Sequence, residues 1–278
     1  MKDQSIVELR WLSIACFEFH LGDSTIISDP CVTDSPGTPL DVSVFNAADL
    51  VFLTHTHWDH VTDLPALEKQ FQPKILVGAL SALSLTRWLN CNSSRIYPMT
   101  SHLELDFGTY KIQALFGRHT DVGQSFLDVT KRINQNPLVG QNRDLQDMQA
   151  WGSLEYCNYL ITTKSGIKIL LWGNNASIEQ VNMIRGFQPD IAILQFSRQS
   201  PEEIAQFAQA IGTHLIIPHH MDLYQTEDVY RPRIAQLQRI FEDLDPNGVV
   251  LSPVHGQWYR YDCERKQLLA QENQLDPT

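Results

Sequence analysis

The chain is poor in several features that would point quickly to a class of function. No segment approaches the roughly 18 uninterrupted apolar residues of a membrane-spanning helix. The opening stretch, MKDQSIVELRWLSIACFEFH, has Asp3, Glu8, Arg10 and Glu18 among its apolar residues, so neither a signal peptide nor a span is expected there. Cations are scarce: 21 Lys and Arg face 32 Asp and Glu, for a formal charge of −11. Nucleic-acid binding draws on clustered cations, so no nucleic acid and no membrane is expected as a partner. A small anion is not excluded, because bound metals make one pocket positive on an acidic protein.

Cysteine is sparse and unpatterned. Cys16, Cys31, Cys91, Cys157 and Cys263 are odd in number and never form a CxxC pair. That reads as reduced thiols in a cytosol, and a cytoplasmic location is the expectation. No Pro/Gly/Ser-rich linker, internal repeat or compositional break divides the 278 residues, which are 43% hydrophobic and 19% charged. One domain over 1–278 with a large core is expected. Homo-oligomerisation is left open.

The pattern along the chain alternates strands and helices. Strands are expected at Ile6–Leu12, Ala15–Leu21, Thr25–Ser28 and Leu50–Leu53, with a turn at Gly22-Asp23. Asp63 is placed to cap a helix with Pro65 in its first turn. Lys74–Val77 reads as a strand, Ser81–Leu89 as a helix, and Leu103–Phe107 with Tyr110–Phe116 as a hairpin. From Thr120 to Gly152 the periodicity dissolves into Asn, Gln and Asp, and a loop or lid over a site is expected at 120–152. Order returns with strands at Tyr156–Thr162, Ile167–Trp172, Ile191–Phe196, Leu215–Ile217 and Val249–Leu251. Helices are expected from Ser177 and at Glu202–Ala210 and Ile234–Leu244, and fraying from Gln267. The predicted fold is α/β, an αββα sandwich of two mixed sheets with outer helices.

What the chain does have is Thr54-His55-Thr56-His57-Trp58-Asp59-His60, directly after the apolar run 48–53. Three imidazoles and a carboxylate at the end of a buried strand lose hydration, and something must replace it. A divalent metal does so, because neutral imidazole and carboxylate are good ligands for zinc-like ions. Further histidines stand at other strand ends: His119 after one, His219-His220 after another, while Gly173-Asn174 ends a fourth. Strand ends of α/β proteins converge on a crevice where sites are usually found.

His-Thr-His-Trp-Asp-His matches HxHxDH, the signature of the metallo-β-lactamase-fold hydrolases. The chain resembles that superfamily from about Val7 to Gly256: Asp29-Pro30, then HxHxDH, a lone His, a Gly-Asp-like turn and a Pro-x-His. The Trp-Leu-x-x-Ala-Cys-Phe start and the Pro-His-His element look most like the L-ascorbate-6-phosphate lactonase-like branch. The resemblance implies a first metal site of His55, His57 and His119, and a second of Asp59, His60 and His220, with a water between the ions. It implies one or two Zn2+ ions, with Mn2+ also suited. Asp59 would also orient the nucleophile. Iron-binding relatives that reduce oxygen or nitric oxide carry Glu where this chain has His57, which favours hydrolytic metal chemistry.

One position departs from the pattern. Where the family has a bridging Asp, this chain has Asn174, and an amide neutralises no charge between two cations. A single-metal enzyme, a dinuclear enzyme with a loosely held second ion, and an Asp-to-Asn change introduced to trap substrate remain open. Arg118, beside His119, is a candidate for an anionic substrate or for a surface ion pair. His219, read as a supporting or pocket group, and His255, a pocket-lining candidate, are further substrate-binding candidates. Asp29 is expected to support the ligand loops. His20 and His214 are read as structural, and His102 as exposed. Two functions compete. One is a metal-dependent hydrolase of a small polar, anionic metabolite (lactone, ester or phosphodiester) using metal-activated water. The other is a metal-binding sensor or catalytically weakened scaffold, for which Asn174 speaks.

Overall fold

The computed structural model describes residues 5–37, 39–118, 122–135, 138–173, 178–223 and 225–269, the side chains at 122–126, 129, 132, 178 and 179 excepted. The first half runs β1 (Ile6–Ser13), β2 (Cys16–Leu21), β3 (Ser24–Ser28), β4 (Leu50–Phe52), α1 (Trp58–Val61), α2 (Leu64–Phe71), β5 (Lys74–Gly78), α3 (Ala82–Leu89), β6 (Ile96–Met99), β7 (Glu104–Asp106) and β8 (Tyr110–Gly117). Then come α4 (Val122–Gln135), α5 (Gln141–Gly152), β9 (Tyr156–Thr163), β10 (Lys168–Trp172), α6 (Ile178–Ile184), β11 (Ile191–Gln195), α7 (Pro201–Ile211), β12 (Leu215–His219), α8 (Glu227–Leu244), β13 (Val249–Val250), β14 (Trp258–Asp262) and β15 (Gln267–Leu268).

The strands form two mixed sheets, ordered β15-β14-β1-β2-β3-β4-β5-β6 and β13-β12-β11-β10-β9-β8-β7. In each, an antiparallel set adjoins a parallel set: β3 through β6 run parallel, and so do β10 through β13. Parallel strands need crossover connections, supplied here by helices between β4 and β5, β10 and β11, and β11 and β12.

Alternation along β4 shows how the layers meet. Phe52 joins one core with Trp11, Phe19, Tyr159 and Ile193, side chains drawn from both sheets, so the sheets pack face to face. Its neighbours Val51 and Leu53 point the other way, into a second core with Leu64, Leu67 and Leu85 of α2 and α3. On the other sheet the layer is completed by Ile204 and Phe207 of α7 and Leu237 of α8. A strand covered on both faces must be apolar throughout, which explains the run before the histidines. The expected αββα sandwich is present.

Several local expectations need correction. The 120–152 segment contains two helices, α4 and α5, where a loop was expected. Its helical stripe is diluted by polar side chains because α4 and α5 lie at the surface, with Met148 and Ala150 among the few buried residues. β6 holds Pro98 at a sheet edge, where a missing donor is tolerated. α8 begins at Glu227 and runs through Pro232, earlier than the expected start at Ile234. β14 and β15 were not foreseen, and β15 occupies the start of the supposed frayed tail. Asp63 takes the N-cap position of α2, but its carboxylate accepts from Val32 N, Thr33 N and Thr33 Oγ1 instead of capping the helix. All five cysteines are free thiols. No helix among the described residues is long and apolar enough to cross a membrane.

Candidate metal centre

The histidine segment leaves β4 between two parallel neighbours, and Asp29 at the end of β3 reaches across to it. Thr54 donates its N–H to Asp29 Oδ1 and its hydroxyl to Asp29 Oδ2, both at 2.8 Å. Asp29 holds φ of +38°, an uncommon conformation for a non-glycine residue, and is fully buried. Trp58 then opens the short α1, so Asp59 and His60 sit in its first turn.

Asp59, His60 and His220 offer ligand atoms within 4.8 Å of one another. Asp59 Oδ2 lies 3.5 Å from His60 Nε2 and 3.4 Å from His220 Nε2. His220 arrives from the far sheet, at the end of β12, with φ of +65° and its N–H donated to Ile14 O at 2.8 Å. Beside this triad, His55 Nε2 and His57 Nδ1 lie 3.1 Å apart. The His55 and His60 rings, with centroids 4.0 Å apart, join the two groups.

Hydrogen-bond direction shows what these nitrogens present. An ionised carboxylate only accepts, so Thr54 Oγ1 spends its proton on Asp29. It must then accept from His55 Nδ1, 3.1 Å away, and a proton on that nitrogen leaves His55 Nε2 as a lone pair. His60 Nδ1 likewise faces Asp29 Oδ2 at 3.1 Å and Thr54 Oγ1 at 3.3 Å. That turns His60 Nε2 toward the Asp59 carboxylate, and this buried nitrogen has no hydrogen-bond partner among the described residues. Carboxylate or hydroxyl groups behind imidazoles, with acceptor atoms turned inward, form the donor set of a divalent cation site. The residues fit the metal that the sequence implied.

The electrostatics agree. Burial disfavours a charged His60, but Asp29 and Asp59 outweigh it and push its pKa up to about 10. Burial would raise Asp59, yet His60 and His220 hold its carboxyl well below the usual range. The pocket therefore demands positive charge, and a proton or a cation can supply it.

The remaining sequence candidates fall as follows. His119 and Asn174 lie outside the described residues. Arg118 is exposed at the end of β8. His219 needs correction as a substrate contact: it is fully enclosed, its Nε2 donates to Trp172 O at 3.2 Å, and burial drives its pKa down to about 3. It is a neutral wall residue. His255 donates from Nδ1 to Leu12 O at 2.8 Å and lies on Trp11 with ring centroids 4.0 Å apart. His20 is held by Glu8 and Glu18, His214 by Asp245, and His102 is exposed.

Sequence reading missed several supports. Asn158 donates to Phe116 O and accepts from Gly173 N, tying together the strand ends that lead to 119 and 174. Tyr156 stacks on His55 at 4.6 Å and donates its hydroxyl to Gly173 O. Asp222 accepts from Ile14 N with both oxygens. Only Thr54, inside the heptapeptide, carried a signal in the sequence.

Comparison with known proteins adds the family. Residues 8–220 match the family model described as the Beta-lactamase superfamily domain. A UPF0173 metal-dependent hydrolase of Solibacter usitatus is 21% identical over 254 residues, covering 88% of this chain and 99% of that protein. Among solved structures, Igni18, a metallo hydrolase from Ignicoccus hospitalis, superposes with a TM-score of 0.68 at 12% identity, covering 92% of this chain and 98% of the other. An isothiocyanate hydrolase from Delia radicum gut bacteria gives 0.65 at 19% identity, covering 90% and 98%.

Proposed function

This chain belongs to the metallo-β-lactamase superfamily, and from that premise we propose that it is a metal-dependent hydrolase of a small polar, anionic metabolite. One observation carries the reading. His55 Nε2 and His57 Nδ1, 3.1 Å apart, stand beside Asp59, His60 and His220, whose ligand atoms lie within 4.8 Å of one another, so five metal-type side chains from two sheets meet in one pocket. The relatives' name, metal-dependent hydrolase, points the same way.

A divalent ion bound there, with zinc the choice that suits the imidazole-rich donor set, lowers the pKa of water from about 15.7 towards 7 and acts as a Lewis acid. The chain's own residues do the rest. Asp29 and Thr54 face the Nδ1 atoms of His55 and His60 and so turn both Nε2 atoms inward. Asp59 orients the attacking water. Arg118, beside His119, and His255 supply contacts for an anionic substrate. The last turn of α5 covers the site from the side of His57. A lactone, an ester or a phosphodiester suits this chemistry equally. The free thiols suit a cytoplasmic setting.

The test is a metal analysis of the purified protein followed by turnover assays on lactone, ester and phosphodiester probes, before and after chelation. Metal-dependent turnover of one class supports the reading. Tight metal binding with no turnover of any class favours the sensor or scaffold, for which the amide at Asn174 is the specific motive.

A further inference from the structure

The last turn of α5 meets the histidine segment through a set of directed contacts that the hydrolase reading does not use. Gln149 Oε1 accepts from Trp58 N at 3.1 Å, and Gln149 Nε2 donates to Thr56 O at 2.9 Å. One amide thus grips the main chain on both sides of His57, as an adjacent strand would. Only Asn and Gln carry a donor and an acceptor in one planar group able to do this. Thr56 Oγ1 adds a bond to Met148 O at 2.7 Å. Contact is close: a Cβ on Gly152 would lie 3.0 Å from His57 Cδ2 and 3.1 Å from His57 N.

The ring of His57 is held by the same turn. Ser153, fully buried, donates its hydroxyl to Gln149 O at 3.3 Å. A hydroxyl has one proton, so with that proton on Gln149 O the oxygen accepts from His57 Nε2, 3.0 Å away. In that arrangement the proton resides on Nε2, and Nδ1 faces His55 Nε2 at 3.1 Å. His55 and His60 are oriented from the β3 side by Asp29 and Thr54; His57 takes its orientation from a different element.

We propose that Gln149 and Ser153 are positioning residues for His57, Gln149 fixing its main chain and Ser153 fixing which ring nitrogen carries the proton. This rests on the reading of His57 as a metal ligand, and its test separates the two. In the metal-free, 15N-labelled protein, imidazole correlation spectra report the His57 tautomer, amide exchange reports the Trp58 N–H, and calorimetry with Zn2+ alone reports affinity. Ser153→Ala should turn a single Nε2–H tautomer into a mixture and weaken Zn2+ binding roughly 10–100-fold. Gln149→Met, which fills the same volume without polar atoms, should accelerate Trp58 amide exchange. Gln149→Glu keeps the acceptor and should leave that amide protected. An unchanged tautomer in Ser153→Ala, or equal Trp58 exchange in the Met and Glu variants, overturns the proposal. If Ser153→Ala does not fold, the Gln149 pair decides. Should His57→Ala bind Zn2+ as the parent does while Ser153→Ala still shifts the tautomer, the ligand reading fails and the positioning role stands.

Discussion

The parallel strands of the β7–β13 sheet have two ends, and the two are built on different principles. At the amino ends lies a groove of about 940 Å³, lined by Asp190, His214, Val249, Tyr261, Lys266 and Leu268 among others. Its basic groups are exposed and pair with acidic partners: Lys266 with Asp190 at 2.8 Å, and His214 with Asp245. At the carboxyl ends, His220 joins His55, His57, Asp59 and His60, which are mostly buried and turn ring nitrogens and a carboxylate toward one another. A large pocket is the usual first guess for a site. Here the cluster of metal-type side chains at the other end outweighs size. Exposed pairs keep their water and are worth about 0–1 kcal/mol. Buried charge is costly unless paired, and Asp59 with His60 and His220 is held out of water in that way.

The largest expected effect comes from removing a proposed ligand at the carboxyl end. His57→Ala should lose most bound metal and nearly all turnover, a fall well beyond the roughly 10–100-fold typical when a supporting contact is lost. Metal content and kcat/KM on the probe substrate are the measurements. A variant that keeps its metal would remove the contrast between the two ends.

Next comes a residue behind the ligands. Asp29 accepts from Thr54 N and Thr54 Oγ1 and faces His60 Nδ1. In Asp29→Asn the amide nitrogen cannot accept, so one of these donors is stranded and the His60 ring loses its orientation. Metal affinity should fall roughly 10–100-fold, with a lower melting temperature for the metal-free protein. Calorimetric titration and thermal unfolding check the two parts. An affinity equal to the parent's would show that Asp29 only supports the fold.

How much of this was legible depended on whether a feature was local in sequence. The strands around β4 and the heptapeptide were readable because alternation, an apolar run and ligand spacing all lie within a few residues. The helices of 122–152 were not, since few of their side chains are buried and the apolar stripe is thin. Gln149, Ser153, Asn158 and Asp222 gave no signal because each acts across long sequence separations, as Asp222 does on Ile14. His219 misled by adjacency: it neighbours His220, yet at a strand end the chain turns through the left-handed φ of His220, sending the two rings different ways.

A smaller and opposite effect is expected at Asn174, whose place in the pattern is known from the sequence. A carboxylate there would neutralise part of the charge on two adjacent cations, which an amide cannot do. Asn174→Asp should raise the affinity of the Asp59/His60/His220 site with less change at the His55/His57 site. Two equally tight sites in the unmodified protein, seen by calorimetry, would show that the amide is tolerated at little cost.

The smallest effect should come from the groove at the amino ends. His214 is largely exposed, with 69% of its side-chain surface accessible, and its pairing with Asp245 is an ion pair only when the ring is protonated. His214→Ala leaves Asp245 able to accept from Gly248 N through its carbonyl and from Asn247 N through its carboxylate. Nothing buried is stranded, so the loss should be at most about 1 kcal/mol. Bound metal and kcat/KM should match the parent, because His214 stands just before β12 while His220 follows its far end. Parallel assays of His214→Ala and His57→Ala on one substrate make the comparison direct. If the groove variant lost turnover while retaining its metal, the large cavity would have to be counted as part of the substrate's path, and the division between a chemical end and an inert end of the sandwich would fall.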